Sequence, residues 1–225
     1  LISECNATSI SRSGGSFLVE TDRGPVKAQK LAIATNGYTS SLTPWLRRRV
    51  IPIGSYIIAT QPLERKLMDR LFPKNRMITD SRKVIYYYRP SPDRTRIIFG
   101  GRVSAGETDP SKSAPKLLSD LTRLFPELSN TLVDRSWAGT VAYSFDELPH
   151  IGVAEGMHYA MSYCGSGVSM ASYLGMKMGK KISEAKDSET AFDGLTYQTR
   201  PYYTGKPWFL PIAVEWYRML DRNLY

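Results

Sequence analysis

A short apolar strand that runs directly into a glycine-containing turn and a long helix constrains the fold of this chain more than any other segment. The strand is predicted over residues 157–163, the turn contains Gly165 and Gly167, and the helix is predicted over 168–182. The helix N-terminus presents unpaired backbone N–H groups and the positive end of the helix dipole, which favour a phosphate or the electron-rich edge of a reduced flavin. The same glycines equally permit a sharp turn and close helix packing. The segment alone therefore leaves a ligand site and a purely structural turn as alternatives.

Hydrophobic periodicity in the rest of the chain predicts mixed strands and helices without a regular βαβ alternation. A turn signal at residues 22–24 predicts a two-stranded hairpin whose second strand spans residues 31–35. Another strand is predicted to stop at the glycine pair Gly100 and Gly101. Further strands are predicted over 51–60, 84–89, 96–99 and 133–144, and further helices over 64–71, 113–125 and 212–221. The predicted fold class is α+β, with a mixed β-sheet domain and pieces of a second domain at both ends.

Composition and charge bear on the class of protein and on its location. Cys5 and Cys164 show neither metal-type pairing nor the density of a disulfide framework. No apolar run reaches the length of a membrane span and the N-terminus carries no secretion signal, so we expect no metal, no membrane span and a cytoplasmic location. A net charge of +9 raises the alternative of a basic polyanion-binding module. Because the basic run at 47–49 is short and no nucleic-acid motif accompanies it, we expect a solvated surface and no nucleic-acid partner.

Several segments of the chain resemble the flavoprotein family that includes D-amino-acid oxidase, glycine oxidase and sarcosine oxidase. Residues 162–168, here called the glycine turn, match the family's late Gly-Tyr-Ser-Gly-His-Gly-Val segment, with Ser162 in place of its first glycine. The family's N-terminal Gly-x-Gly-x-x-Gly loop and its acidic partner are absent from these 225 residues. The resemblance therefore implies that the chain is the C-terminal part of such a protein. Matching segments are 31–38, 51–63, 86–102 and 137–152, and those most similar to the gamma-glutamylputrescine oxidase branch are 55–63, 148–152 and 205–211.

The resemblance implies FAD as the cofactor and assigns residues to it. The nucleotide part of FAD would be lined by Thr35, Asn36 and Gly37, for which a plain strand-to-loop turn is the alternative. The isoalloxazine ring would be faced by Gly165, Ser166, Gly167 and Val168. The chain would comprise part of a FAD-binding α/β domain at 1–45, a substrate domain at 46–150, a return to the FAD-binding domain at 151–190, and a C-terminal tail and helix at 191–225.

The implied reaction is oxidation of a carbon–nitrogen bond to an imine, with reoxidation by oxygen or another acceptor. The arginine that holds a substrate carboxylate in amino-acid oxidases of the family aligns with Val141, which favours a small-molecule amine or an amino acid bound in another way. No catalytic acid or base is assigned, and His150 is interpreted as a packing or turn residue. Candidates for a substrate pocket are Tyr56, Tyr88, Trp137 and Tyr143.

Alternatives remain for the tyrosines and for the protein. Each tyrosine would equally suit core or sheet packing, and because strand side chains alternate, Tyr86 and Tyr88 share one face while Tyr87 takes the other. The chain would be an enzyme, or alternatively a non-catalytic fragment or companion subunit that relies on a missing N-terminal segment or another chain for the FAD phosphate loop. The basic polyanion-binding module is the third alternative.

Overall fold

The computed structural model describes residues 1–104 and 109–222 of the chain. The strands are β1 Ala7–Ser13, β2 Ser16–Thr21, β3 Val26–Ala28, β4 Ala32–Ile33, β5 Ile51–Thr60, β6 Ile78–Thr79, β7 Tyr86–Pro90, β8 Ile97–Ser104, β9 Val133–Tyr143, β10 His150–Ala154 and β11 Met157–Met161. The helices are α1 Pro44–Arg47, α2 Arg65–Leu71, α3 Pro110–Leu124, α4 Gly167–Ile182 and α5 Leu210–Arg222, with 3₁₀ turns at Asn36–Tyr38 and Pro126–Leu128. The chain divides into two compact units, of which unit 1 comprises Leu1–Pro52 and Val141–Lys206, and unit 2 comprises Ile53–Thr140 and Pro207–Tyr225.

Unit 1 contains two three-stranded sheets. In the first sheet, β2 lies between β1 and β3 and is antiparallel to both. In the second, β11 lies between β10 and β4, antiparallel to β10 and parallel to β4, with His158 opposite Ala32 and Tyr159 opposite Ile33. Helix α4 packs on β10 and β11 through the fully buried Leu174. Strands β4 and β11 therefore run side by side in one direction and end at the same edge of the sheet.

The predicted hairpin is present, but its second strand is β3 and not residues 31–35. The Thr21 hydroxyl donates to the carbonyl oxygen of Gly24 at 2.6 Å and closes a short turn after β2. Because this turn reverses the chain at once, the segment directly after it pairs with β2, and Phe17 lies opposite Ala28. Residues 31–35 contain β4, which joins the other sheet beside β11.

Unit 2 is built on a five-stranded sheet of order β6-β7-β8-β5-β9. Strands β6, β7, β8 and β5 pair antiparallel with their neighbours. One face of this sheet, here called the covered face, packs against α2 and α3 around a single core. The buried side chains of that core include Tyr56, Ile58, Met68, Phe72, Ile97, Phe99, Leu117 and Leu121.

Strand β8 continues through Gly100 and Gly101, so the prediction that the strand stops at these glycines is wrong. A Cβ atom on Gly100 would lie 2.2 Å from Cε2 of Tyr87, and one on Gly101 would lie 2.8 Å from Cδ1 of Tyr86. The two tyrosines stand opposite the two glycines on the neighbouring strand β7. Glycine inside a strand can mark a place where another group approaches the backbone closely, and these two glycines make room for the cross-strand aromatic rings.

The α+β fold class is confirmed, and most predicted elements agree with the structure within a few residues. Strand β5 has the predicted bounds, and α3 ends before Pro126, which begins a 3₁₀ turn as the break in the pattern indicates. The hydrophobic pattern does not predict β1, whose side chains are almost all exposed, or β10. The assignment of sequence ranges to a cofactor domain and a substrate domain stays a prediction.

Candidate functional site

Two of the segments predicted to bind the cofactor lie at one edge of the β10-β11-β4 sheet in unit 1. The parallel strands β4 and β11 both end there, and they lead into residues 34–37 and into the glycine turn. Crevices at the carboxyl ends of parallel strands are the usual binding places of nucleotide cofactors in α/β folds. The sheet topology therefore brings together the two segments that the family resemblance assigns to FAD, and their role in binding it stays a prediction.

Asn36 joins the two segments directly. Its side-chain oxygen Oδ1 accepts a hydrogen bond from the backbone N–H of Ser162 at 2.9 Å. Asn36 itself has a left-handed backbone, with φ of 45°, at the start of the 3₁₀ turn. Beside it, the hydroxyl oxygens of Thr35 and Thr39 lie 2.8 Å apart. The Thr35 side chain thus serves the loop's own structure, and the Asn36 side chain ties the loop to the glycine turn. The carbonyl oxygens of Thr35 and Asn36 accept the backbone N–H groups of Tyr38 and Thr39, which closes the 3₁₀ turn that contains Gly37.

The glycine turn places backbone donors at the start of α4. Gly165 has φ of +94°, a conformation that side chains with a Cβ rarely adopt. Among the described residues, the side chain of the N-cap Ser166 makes no capping hydrogen bond, so the N–H groups of the first turn lack the acceptor that a cap would supply. Val168 is 97% exposed, which leaves this helix end open. The donor set fits the electron-rich edge of a flavin or a phosphate.

Tyr143, one of the predicted substrate residues, lies beside this turn. A Cβ atom on Gly165 would lie 3.4 Å from the Tyr143 hydroxyl oxygen. Both residues belong to unit 1, so the structure places one predicted substrate residue next to one predicted cofactor residue. At 3.4 Å an added Cβ would make only an ordinary van der Waals contact, so the left-handed backbone is the reason for glycine at this position.

The position at which the chain departs from the family pattern is strained. Ser162 has φ of 59° and is completely buried, so a serine occupies a backbone conformation that suits glycine. Two residues later Cys164 is also left-handed, with φ of 50°, and its N–H donates to the carbonyl oxygen of Ala142 at 3.0 Å. Burial raises the pKa of the Cys164 thiol. The backbone of the glycine turn is therefore held at several points.

The other three predicted substrate residues lie in unit 2 and do not converge. Tyr56 is 1% exposed inside the core of the covered face. The ring of Tyr88 packs against Phe72, Phe99 and Phe125, with ring centroids 5.6–6.2 Å apart. Trp137 is 41% exposed. The positions of Tyr56 and Tyr88 agree with the packing alternative, and their role in substrate binding stays a prediction.

The opposite face of the unit 2 sheet, here called the uncovered face, carries a polar pair that the sequence analysis did not select. The hydroxyl oxygens of Tyr87 and Ser55 lie 2.8 Å apart, and both side chains are part-buried. Ala138 packs against the core, so the adjacent Trp137 points to the uncovered face by strand alternation. Alternation separates Tyr87 from Tyr86 and Tyr88 in the sequence, but it does not show which face the helices cover.

His150 is a packing residue in this structure. It is 1% exposed, its ring stacks on Tyr197 with centroids 4.1 Å apart, and its Nε2 lies 3.0 Å from Oδ1 of Asp146. Burial acts to raise the pKa of Asp146, but hydrogen bonds from His150 and its neighbours outweigh it and lower that pKa. The aspartate is therefore ionised near neutral pH and has a fixed partner.

Within residues 1–104 and 109–222, no group of three or more His, Cys, Asp or Glu side chains is arranged to hold a metal ion. A bilayer-crossing helix needs about 20 apolar residues. None of the helices in the described part of the chain has that length and apolar character.

The fold and the site together are those of a two-unit α+β protein: one unit has backbone donors at the carboxyl ends of parallel strands, and the other has a five-stranded sheet with helices on one face. Comparison with known proteins identifies the family. Residues 1–180 match the family described as FAD dependent oxidoreductase, so the chain belongs to this family, and the predicted resemblance is confirmed.

Individual relatives align with most of this chain. The chain is 30% identical to the probable oxidoreductase OrdL of Rhizobium meliloti (strain 1021), over 96% of this chain and 50% of that protein. It is 27% identical to the gamma-glutamylputrescine oxidoreductase of Escherichia coli (strain K12), over 91% of this chain and 49% of that protein. Glycine oxidase from Geobacillus kaustophilus has a similar fold, with a TM-score of 0.66 at 17% identity over 88% of this chain and 52% of that chain. The chain spans about half the length of the relatives it matches.

Proposed function

We propose that this chain forms part of an enzyme that oxidises a carbon–nitrogen bond of a small-molecule amine or amino acid with FAD. The observation that carries the proposal is the uncapped first turn of α4, which follows the left-handed Gly165 at the carboxyl ends of β4 and β11. Family membership supports FAD as the cofactor. The chemistry that bound FAD would supply is the two-electron oxidation of the amine to an imine, in which the substrate would lose a hydride from carbon and a proton from nitrogen, with oxygen or another acceptor taking the electrons.

The residues of unit 1 would orient the cofactor and stabilise charge. The main chain of residues 35–37 would contact the nucleotide part, while Gly165, Ser166, Gly167 and Val168 would face the flavin ring. The positive end of the α4 dipole favours negative charge at that place, so the turn would stabilise the reduced, anionic state of the ring system. This is electrostatic assistance by backbone groups, and it needs no ionisable side chain at the turn.

The uncovered face of the unit 2 sheet is the better candidate for contact with an amine than the face that carries Tyr56 and Tyr88. It offers the Tyr87 and Ser55 hydroxyl groups as hydrogen-bonding partners. The exposed ring of Trp137 would stack against an ammonium group. Valine at position 141 cannot form a bidentate pair with a carboxylate beside the oxidised carbon, which favours an amine over an α-amino acid held in that way.

Retention of flavin tests this proposal. The purified chain is incubated with excess FAD and desalted, and the flavin absorbance is measured. We expect the chain to remain yellow and the variant Gly165→Ala to lose flavin, because alanine strains the left-handed turn. The matched control is Gly179→Ala within α4, where, apart from the nearby backbone of α4 and the adjacent residues, no described atom lies within 4 Å of the added Cβ and flavin should be retained. If Gly165→Ala keeps flavin as tightly as Gly179→Ala does, the turn does not face the cofactor.

The coverage of about half of each relative favours a second candidate function: a fragment or companion subunit that binds FAD only with another segment or chain. A folded but colourless 225-residue chain that becomes yellow when a phosphate-loop segment is supplied would support this candidate.

Both cysteines are free thiols, and the cytoplasmic location stays a prediction.

A further inference from the structure

Ser162 is an unusual residue for its position, because its backbone conformation and its buried hydroxyl both need stabilising contacts. It is completely buried and its φ of 59° lies in the left-handed region, where the family pattern has glycine. Serine in this conformation is disfavoured by contact between its Cβ and the backbone. A buried hydroxyl also needs a hydrogen-bonding partner. The surroundings of Ser162 therefore have to supply both a partner and a restraint.

Tyr197 supplies the partner from the segment between α4 and α5. The hydroxyl oxygens of Ser162 and Tyr197 lie 2.5 Å apart, and Tyr197 is only 5% exposed. The backbone N–H of Ser162 is fixed separately by Oδ1 of Asn36 at 2.9 Å. The Ser162 carbonyl oxygen in turn accepts from the thiol of Cys164 at 3.1 Å. The residue at the start of the glycine turn is thus held through its hydroxyl, its amide and its carbonyl.

Tyr197 is itself held rigidly. Its ring stacks on His150, at a centroid distance of 4.1 Å, and on Tyr159, at 5.7 Å. Its carbonyl oxygen accepts a hydrogen bond from Nε of Arg49 at 2.8 Å. Arg49 also donates to the carbonyl oxygen of Trp45 at 2.7 Å and lies 3.5 Å above the ring of that residue. The Tyr197 hydroxyl is therefore a fixed point against which Ser162 is placed.

We propose that Tyr197 is a positioning residue for the glycine turn: through the Ser162 hydroxyl it sets the direction of the backbone N–H groups at the start of α4. The connection is short, because the Cys164 thiol donates to the Ser162 carbonyl oxygen and the Ser166 N–H donates to the Tyr163 carbonyl oxygen, which closes a turn that contains Gly165. A displacement of Ser162 would therefore reach Gly165 along the main chain of this turn. The inference rests on the proposed function for its role toward FAD, although its structural part concerns only residues of unit 1.

A double-mutant cycle between positions 197 and 162 tests the proposal. Tyr197→Phe removes one hydroxyl and keeps the ring, while Ser162→Gly removes the other hydroxyl and restores a residue suited to the left-handed backbone. The readout is the backbone ¹⁵N–¹H resonances of Gly165 and Gly167. We expect Tyr197→Phe to shift these resonances in the serine background and to leave them unchanged in the glycine background.

Tyr203→Phe is the matched control. Tyr203 belongs to the same segment, is 3% exposed, and donates its hydroxyl to the carbonyl oxygen of Val50 at 2.7 Å, away from the glycine turn. Its replacement removes a comparable buried hydrogen bond, and it should leave the Gly165 and Gly167 resonances in place. If Tyr197→Phe moves these resonances no more than Tyr203→Phe does, or moves them equally in both backgrounds, the positioning role is wrong.

Flavin affinity gives a second readout in a preparation that binds FAD. Loss of one hydrogen bond predicts that Tyr197→Phe weakens FAD binding about two- to tenfold, and that Ser162→Gly with Tyr197→Phe binds like Ser162→Gly alone. If Tyr197→Phe does not fold, Ser162→Ala removes the same hydrogen bond from the other partner. It should weaken FAD binding by about the same two- to tenfold. A wild-type chain that never binds FAD contradicts the proposed function, whereas the resonances of Gly165 and Gly167 decide the positioning role by themselves.

Discussion

Replacing Gly205 by alanine measures how firmly the segment that carries Tyr197 is held. Gly205 has φ of +93°, and a Cβ atom there would lie 2.4 Å from Cγ of Arg47 and 2.9 Å from the Arg47 carbonyl oxygen. Gly194, in the same segment, is also left-handed with φ of +74°, but no described atom lies within 4 Å of its Cβ position. The two alanine variants therefore share backbone strain and differ in steric overlap.

The expected cost follows from this difference. A left-handed backbone costs a residue with a Cβ about 1–2 kcal/mol, so Gly194→Ala should lower the free energy of unfolding by about that amount. Gly205→Ala carries the same strain and adds overpacking of about 1–3 kcal/mol. The Arg47 side chain can move aside, but its carbonyl oxygen belongs to the main chain. The total for Gly205→Ala is therefore about 2–5 kcal/mol.

Urea unfolding of the wild type and both variants, followed by tryptophan fluorescence, measures these free energies. Trp45 reports directly, because its ring lies in the cluster that Tyr197 joins. Adding Arg47→Ala to Gly205→Ala should recover only part of the loss, since the contact with the carbonyl oxygen persists. Equal destabilisation by the two glycine substitutions would refute the steric argument and leave backbone strain as the whole effect.

Two further predictions concern unit 2 and alkaline pH. Asp221 anchors α5 by accepting the backbone N–H groups of Lys83 and Val84 at 2.8 and 2.9 Å, so Asp221→Ala should cost about 2–4 kcal/mol in urea unfolding and Asp221→Asn about half as much. A loss below about 0.5 kcal/mol for Asp221→Ala would show that the anchor is dispensable. Burial raises the pKa of Tyr197 and Tyr203, so the free energy of unfolding should be fully retained below pH about 10 and fall as pH rises further toward the folded pKa. Tyr203→Phe should flatten that decline, and a stability that rises with alkaline pH would contradict the assignment.

The elements that the sequence predicts well are those whose signal is local. Strand β5 is rich in β-branched and aromatic residues and is closed by Gln61 and Pro62, and α3 repeats leucine at helical spacing until Pro126. The glycine turn before α4 is equally local. In each case the residues that form the element also mark its end, so the bounds follow from the chain itself.

The errors arise where a neighbouring strand decides the outcome. Gly100 and Gly101 have the composition of a strand end, yet they continue β8 because Tyr86 and Tyr87 on β7 need the space. Residues 31–35 have the pattern of a hairpin strand, yet they contain β4, which pairs with β11 more than 120 residues later along the chain (His158 opposite Ala32, 158 − 32 = 126). Pairing over such distances leaves no mark in a local pattern.

In the candidate site, too, a local pattern predicts some features, while tertiary packing decides others. Alternation along β7 correctly separates Tyr87 from Tyr86 and Tyr88, since the latter two pack on Phe99 and Tyr87 pairs with Ser55. Which face of the sheet is buried depends on where α2 and α3 pack. That packing is a tertiary property and is not encoded in the alternation of one strand. A polar residue at position 55 between apolar neighbours was the available signal that this face differs from the core.

Ser162 shows what a departure from a family pattern can and cannot tell. The sequence identifies the replaced glycine, but it holds no sign that the compensating hydroxyl lies 35 residues away on Tyr197. Backbone donors at the turn have no side-chain identity of their own, so their direction can be set only by residues that hold the main chain. A turn with serine in place of this glycine therefore needs support from elsewhere in the fold, and in this chain the rigidly packed Tyr197 contacts the Ser162 hydroxyl.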